Sequence, residues 1–369
     1  MMKSILLYCF NLGGGAGKNI TSIANHYSDL GYNVTVAFGR SQPHLKSQIC
    51  DNVHIRDLKS RSSYSALFGI AKQLRKYSFD IIFVTGASNA IIITMALLFI
   101  KNNNKVIIRE ASSPSMLIRD QNWCIGFLKK YLIKWSYRNC NVIIALTNEM
   151  KNDLINTWKV DSNKIKVIYN GINMNNYKTD YETLNTYQKL LLEKKKRYYK
   201  ILVNIGNLNW SKNHELLIRA FDKIKYRNKI LFIVGSGDRR SYLENIIKNE
   251  NIRSEIIFTG QQENAEYFIK NCDLFVLSSR YEGFPNVLLE SLKYGKTIVS
   301  TDCPTGPREI IGDNEYGYLV PTDYLDKMVE TIEMSLGKPF SEVILKERAK
   351  YFSIEKQMDE YKNILISSI

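Results

Sequence analysis

The stretch "DLFVLSSRYEGFPNVLLESLKYGKTIVST", residues 273–301, decides how the chain folds. An apolar run ends at Leu277, and a polar loop carrying Gly283 and Pro285 follows it. Pro285 suits the first turn of a helix, where its missing N–H has no bond to lose. A second β-rich run, "KTIVST", closes the unit. Strand, loop, helix and strand make a βαβ unit, and such units imply a parallel sheet.

The same alternation recurs on both sides. Towards the N-terminus the runs are "SILLYCF", "NVTVAF", "DIIFVT", "KVIIRE", "NVIIALT" and "KIKVIYN". After a polar, asparagine-rich and then basic stretch come "KILVNIG", "KILFIVG", "EIIFTG", "DLFVLSS", "KTIVST" and "YGYLV". The pattern is α/β, with two Rossmann-like halves. The domains are placed at 1–178 and 200–350, with a linker at 179–199 that ends in a solvated helix, and a C-terminal helix at 351–369 that crosses back to the first domain. In such sheets ligands bind beyond the carboxyl ends of the strands. The informative loops sit there: "GGGAG", "GNLNWSKN", "GSGD", "TGQQEN" and "SSRYEGFPN". With two such domains, the cleft between them is the natural site.

Composition sets the class of partner. At 369 residues the chain has room for two cores, and its 24% charged residues are ordinary for a globular protein. The formal net charge of +15 is not ordinary. It suits a polyanion or an anionic membrane surface; a lysine-rich solvated surface is the plainer alternative. Nucleic acid is disfavoured, because no recognised binding module appears and the basic residues are spread out. The six cysteines form no C-x-x-C pair and no cluster with histidine, which points to a reducing compartment without a metal centre. The apolar run at the start is too short for a signal sequence. The segment "IIFVTGASNAIIITMALLFI", 81–100, is interrupted by "TGASN" and reads as strand, loop and buried helix rather than a membrane span.

"NLGGGAGKNIT", residues 11–21, invites comparison with a nucleotide-binding P-loop. The comparison fails: Leu12 stands where the opening glycine belongs, and Asn19 where the hydroxyl belongs. What remains is a glycine-rich turn ahead of a helix, either a tight connection or an anion seat.

The chemistry concentrates in "SSRYEGFPNVLLESLKYGKTIVSTDCPTGPREII", 278–311. Glu282 lies in the loop and Glu290 about one turn into the helix. Between them, the backbone amides of the stretch Gly283, Phe284, Pro285, Asn286 and Val287 can face a diphosphate. Carboxylates beside an anion make sense where they accept hydrogen bonds from sugar hydroxyls.

Glu282, seven residues and Glu290, inside "EGFPNVLLE", resemble the E-x7-E signature of the family 4 retaining glycosyltransferases of GT-B fold. The resemblance extends through the glycine-rich first loop, "IYNGIN", "VNIGNLNWSKNHELLIRAF", "IVGSGD", "FTGQQEN" and "CPTGPREII". The last is most similar to members that build bacterial surface polysaccharides such as O-antigen and capsule, and lipid-linked oligosaccharides. The resemblance implies two Rossmann-like domains facing each other across a cleft, the first binding acceptor and the second nucleotide sugar.

The same resemblance implies roles for particular residues. Glu290 would hold ribose hydroxyls and Glu282 the transferred sugar. Lys212 would hold the diphosphate and stabilise the leaving group. Gly235 and Gly237 would allow close backbone approach, and the loop around Gln261 would face the base. Gly14 and Gly15 match the family's first loop, against donor phosphate and acceptor; Arg109 and Glu110 stand at the acceptor side, or form a surface ion pair. Asn207 occupies the place of the family's usual arginine. No D-x-D pair of the metal-binding kind is present, so helix amides and Lys212 would do the work of a metal, with no cofactor.

"CIGFLKKYLIKWSYRNC", 124–140, interleaves cations with apolar residues at helical spacing. It fits an interfacial helix on anionic lipid, or a core helix with a basic outer face. The reading is a retaining hexosyltransferase, moving a hexose or N-acetylhexosamine (GalNAc, GlcNAc or Gal) from a UDP-sugar. The acceptor is a lipid-linked glycan on polyprenyl diphosphate, and the enzyme is cytoplasmic, peripheral to the inner face of the membrane. The alternative is a non-catalytic GT-B-like subunit that binds sugar nucleotide or glycan.

Overall fold

A computed structural model describes residues 3–41, 43–100, 104–119, 123–175 and 184–367. The chain forms two compact units. One comprises Met1–Asn170 and Glu355–Ile369, the other Gly171–Ile354.

The first unit is built on seven strands: β1 (Ser4–Leu12), β2 (Asn33–Ser41), β3 (His54–Asp57), β4 (Ile81–Thr85), β5 (Lys105–Arg109), β6 (Val142–Ala145) and β7 (Ile165–Val167). They lie in the order β3-β2-β1-β4-β5-β6-β7, every pair parallel. The central strands are apolar throughout because helices cover both faces of a parallel sheet; Ile5, Leu6, Leu7 and Tyr8 are fully buried. β3 was not expected. Its sequence, HIRD, is polar and half exposed, as an edge strand paired only with β2 can be.

The segment 81–100 divides into β4, a turn at Gly86 and the helix Ala87–Leu97, as its sequence implies. The helix Ile354–Ser367 belongs, from Glu355 onward, to the first unit although it follows all of the second in sequence. Its Tyr361 is fully buried, with its ring edge-on to Phe83 at 5.9 Å between centroids and its carbonyl accepting from the Tyr27 hydroxyl.

The second unit holds six strands: β8 (Lys200–Ile205), β9 (Lys229–Val234), β10 (Glu255–Gly260), β11 (Leu274–Leu277), β12 (Thr297–Thr301) and β13 (Tyr318–Val320). Their order is β10-β9-β8-β11-β12-β13, again all parallel. The basic stretch before β8 carries the helix Thr186–Lys196, opened by a capping box between Asn185 and Gln188. Helix His214–Lys223 packs Leu216, Leu217 and Phe221 into the core beneath the sheet.

In each unit the chain winds outward from its first strand in one direction and then returns to wind the other way. The switch falls between β1 and β4 in the first unit and between β8 and β11 in the second. Loops at the carboxyl ends of such neighbouring strands diverge, and the crevice they leave is where open α/β sheets bind ligands.

Candidate donor-binding site

Loops from both sides of the second switch point converge. The loop after β8 makes a short 3-10 turn, Trp210–Lys212, capped by the Asn209 side chain, which accepts from the Lys212 backbone N–H at 3.2 Å. Asn213 then adopts a left-handed conformation, φ 48°, and the helix His214–Lys223 begins. From the other side, the loop after β11 brings in Glu282. Lys212 Nζ donates to Glu282 Oε1 at 2.6 Å, and the Ser279 hydroxyl donates to the same oxygen at 2.6 Å. Both side chains of the ion pair are mostly buried, 19% and 10% exposed, so water screens the pair weakly.

The pair is held from behind. The Thr305 hydroxyl donates to the Glu282 carbonyl, and the Glu282 N–H to the Pro304 carbonyl. The Ser278 hydroxyl donates to the Lys212 carbonyl at 2.8 Å. Arg280 ties the two loops together: its N–H donates to the Ser211 carbonyl and its guanidinium to the Trp210 carbonyl, Glu215 and Asp323. The guanidinium also lies over the Trp210 ring, 4.7 Å from its centroid.

The glycines of "GSGD" have a physical cause in the structure. A Cβ on Gly235 would lie 2.0 Å from the Gly206 carbonyl oxygen, and one on Gly237 2.3 Å from the Leu208 carbonyl oxygen. The loops after β8 and β9 therefore touch backbone to backbone, bonded through Leu208 N–H to the Ser236 carbonyl and Arg239 N–H to the Leu208 carbonyl. Gly206 itself has the Lys212 side chain packed over it, 3.3 Å from a built Cβ. Asn207, beside it, is exposed.

The helix bearing Glu290 runs Asn286–Lys293. It starts one residue later than expected, with Pro285 as the cap residue rather than the first helical one. Pro285 has ψ 92°, outside the helical range, and the neighbouring Gly306, φ 103°, packs so closely that a Cβ there would sit 2.5 Å from Pro285 Cδ. Phe284 turns into the core against Phe352, so of this stretch the backbone rather than that ring is available to a ligand. Gly283, Asn286, Val287 and Glu290 are half-buried. After β10, Gln261 is exposed, while Gln262 is held by the Thr259 carbonyl and Asn185.

His214 opens the helix directly after Asn213. It is buried, and among the described residues neither ring nitrogen has a partner. Burial first, then the Lys212 and Arg239 charges, push its pKa down to about 3, so it stays neutral.

In the first unit the expected glycine loop is one residue long. The helix Gly14–Asp29 starts directly after Gly13, so Gly14 and Gly15 form its first turn. Gly17 must be glycine because a Cβ would lie 2.9 Å from both the Leu12 carbonyl carbon and Leu45 Cδ1.

Arg109 and Glu110 are not a surface ion pair: they are 1% and 0% exposed. Arg109 Nε donates to the Tyr361 hydroxyl at 3.0 Å and Nη2 to Asn170 Oδ1 at 2.5 Å. Glu110 accepts from the Tyr137 hydroxyl at 2.9 Å and from the Ala87 N–H, the first of its helix, at 3.1 Å. Burial raises the Glu110 pKa to about 7, against the lowering effect of those two donors and of Arg109.

Sequence reading singled out Glu282 and Lys212 but missed what holds them. Arg280, Glu215 and Asp323 are charges scattered over a hundred residues, with no spacing that announces a cluster.

Comparison with known proteins gives the family and the fold. The profile described as "Glycosyltransferase Family 4" matches residues 13–176, and "Glycosyl transferases group 1" matches residues 189–352. The chain belongs to the family 4 glycosyltransferases. It is 26% identical, over 95% of its length and 94% of the relative's, to the N-acetylgalactosamine-N,N'-diacetylbacillosaminyl-diphospho-undecaprenol 4-alpha-N-acetylgalactosaminyltransferase of Campylobacter jejuni. It is 22% identical, over 87% of its length and 82% of the relative's, to the UDP-Gal:alpha-D-GlcNAc-diphosphoundecaprenol alpha-1,3-galactosyltransferase of Escherichia coli. Among solved structures, HepE of Anabaena in complex with UDP-glucose superposes with a TM-score of 0.83 at 16% identity, over 99% of both chains. That likeness shows the fold, GT-B.

Proposed function

We propose that the chain is a retaining glycosyltransferase. It moves a hexose or N-acetylhexosamine, such as GalNAc, GlcNAc or Gal, from a UDP-sugar to a growing glycan carried on polyprenyl diphosphate at the inner face of the cytoplasmic membrane. The observation that carries this reading is the Lys212–Glu282 pair at the switch point of the second unit, with Glu290 on the helix that follows. The two relatives, each named for a transfer onto a diphospho-undecaprenol-linked sugar, and the UDP-glucose in the HepE complex support the choice of donor and acceptor.

In this mechanism Lys212 exchanges its bond to Glu282 for one to the donor diphosphate. A cation placed where negative charge develops stabilises the departing UDP. Glu282, released, accepts hydrogen bonds from hydroxyls of the transferred sugar, and Glu290 accepts from the ribose. Amides at the start of the helix Asn286–Lys293 face the diphosphate. The bond from the anomeric carbon to the phosphate oxygen breaks, a bond to the acceptor hydroxyl oxygen forms on the same face, and the acceptor proton passes to the departing phosphate. In this reading Gly14 and Gly15, in the first turn of their helix, serve the acceptor side, and the buried Arg109 and Glu110 support it without touching the acceptor. Charge stabilisation comes from the protein, with no metal.

A thermal-shift panel of UDP-, GDP- and ADP-sugars tests the reading. UDP-sugars should raise the melting temperature of the wild type, and Glu290→Ala should lose that shift. A variant responding at wild-type donor concentrations contradicts the ribose contact.

A further inference from the structure

Three helices of the first unit lie side by side: Ser63–Lys76, Ala87–Leu97 and Trp123–Arg138, with the second between the other two. Their outer surface is unusual. Among the described residues, every exposed large apolar side chain of the first unit except Leu30 lies on these helices or immediately after the second. Phe68 is 75% exposed on the first helix, and Leu98 and Phe99 are 69% and 63% exposed just past the second. On the third, Trp123 is 83%, Phe127 68% and Tyr131 63% exposed. Single exposed apolar residues are ordinary; a layer that presents so many marks a surface that meets something.

The third helix shows which way it faces. It buries Ile133, Ser136 and Tyr137, so its packing face is already satisfied. Trp123, Phe127 and Tyr131 recur every four residues and form one stripe on the outside, where the first two rings stack at 6.4 Å. The helix thus packs one face inward, as a core helix would, while its outer side carries exposed rings as well as cations.

Charge selects the partner. The three helices carry Lys72, Arg75 and Lys76, then Lys129, Lys130, Lys134 and Arg138, and not one Asp or Glu. An aromatic stripe flanked by cations, without an acid, fits the headgroup layer of an anionic bilayer: rings sit at the interface while cations meet lipid phosphates. Among the described residues no helix is long and apolar enough to cross a membrane, so the contact is in-plane.

We infer that the face built by Ser63–Lys76, Ala87–Leu97 and Trp123–Arg138 is a docking surface for an anionic lipid bilayer, with Trp123, Phe127 and Tyr131 entering the headgroup layer. This deepens the membrane placement of the proposed transferase, yet its readout is binding rather than turnover, so it stands or falls separately from donor chemistry.

The test is flotation of the full chain with vesicles of phosphatidylcholine alone and of phosphatidylcholine mixed with phosphatidylglycerol. The wild type should float with the anionic vesicles and lose that preference at high salt. Replacing Trp123, Phe127 and Tyr131 together by Ser should abolish flotation without changing the melting temperature, since all three are exposed. Replacing Lys129, Lys130 and Lys134 by Gln should lower the partition coefficient by about a hundredfold. Phe68→Ser with Phe99→Ser should weaken it too. Equal flotation with both vesicles, or variants that float like wild type, overturns the inference. So does a concentration-dependent dimer that disappears in the aromatic variant, which would assign the face to a second copy of the chain.

Discussion

Lys212 Nζ and Glu282 Oε1 stand 2.6 Å apart across the switch point of the second sheet, joined from loops seventy residues apart in sequence. Each charge neutralises the other until a donor arrives, and neither side chain is open enough for water to do so. Removing Lys212 therefore leaves a mostly buried Glu282 carboxylate with the Ser279 hydroxyl but no cation, and removing Glu282 leaves Lys212 without its ion-pair partner. Lys212→Met and Glu282→Gln should each lower kcat by roughly a hundredfold to a thousandfold, the usual effect of losing a charge-stabilising group. Steady-state assays with a UDP-sugar and a diphosphate-linked acceptor check this, and near-wild-type turnover by either variant would show that the pair is structural only.

Arg280 acts on the reaction through that pair. Its guanidinium bonds Glu215, Asp323 and the Trp210 carbonyl, and so holds the Lys212 turn against the loop that bears Glu282. Arg280→Ala should lower kcat by about ten- to a hundredfold, the scale of a slightly misplaced catalytic group. The thermal shift caused by UDP should change little, because Arg280 is already committed to protein partners. Arg280→Lys restores one contact of the fork and should recover only part of the loss. An equal loss of UDP binding would instead make Arg280 a ligand.

Backbone contact predicts a sharp contrast between two glycines. Gly235 has φ 141° and no room, with the Gly206 oxygen 2.0 Å from a built Cβ, whereas Gly14 has φ 59° and open space. Gly235→Ala should cost about 3 kcal/mol or more in chemical denaturation, and Gly14→Ala about 1 kcal/mol. Similar losses at both sites would mean that the loops after β8 and β9 can separate.

Glu110 makes stability depend on pH. Its carboxyl is raised to about 7 when folded, chiefly by burial, and returns to the ordinary range when unfolded. Between those values the folded chain binds the extra proton. Its contribution is thus fully present below the unfolded pKa and is lost as pH rises towards 7, on the order of 3 kcal/mol. His214 works in the opposite sense, since a folded pKa depressed to about 3 makes stability fall as pH drops below the usual imidazole range. The measurement is therefore the difference between wild type and Glu110→Gln in urea denaturation across that window. The stability advantage of the wild type should shrink as pH rises, and a constant difference would rule out titration of Glu110.

The proposed mechanism draws its charge stabilisation from Lys212 and helix amides and uses no divalent ion. Transfer should survive EDTA, and loss on chelation that manganese restores would show otherwise.

Much of this was legible in the sequence because parallel strands buried on both faces are apolar runs, and those runs stand out. β3 escaped for the converse reason: an edge strand such as His54–Asp57 needs only one partner and can stay polar. "EGFPNVLLE" showed where a loop gives way to a helix, since proline and glycine mark the boundary locally. The clamp around Arg280 did not show, because its partners meet only after folding. The first glycine run was partly misleading. It reads as a loop, yet Gly17 is required by packing against Leu12 and Leu45, and the helix has already begun at Gly14. Arg109 and Glu110, adjacent and opposite in charge, resemble an exposed pair until the structure turns one to Tyr361 and the other to Tyr137.

The position of Tyr361 also bears on how the protein is made. The first unit draws on the helix Ile354–Ser367 for the ring contact to Phe83 and for the hydroxyl that receives Arg109. During synthesis that helix leaves the ribosome after all of Gly171–Ile354. The unit Gly171–Ile354 can therefore finish folding first, while Phe83 and Arg109 wait for their contacts with Tyr361. Substitutions confined to Ile354–Ser367 would therefore unsettle Tyr27, Phe83 and Arg109, far earlier in the sequence.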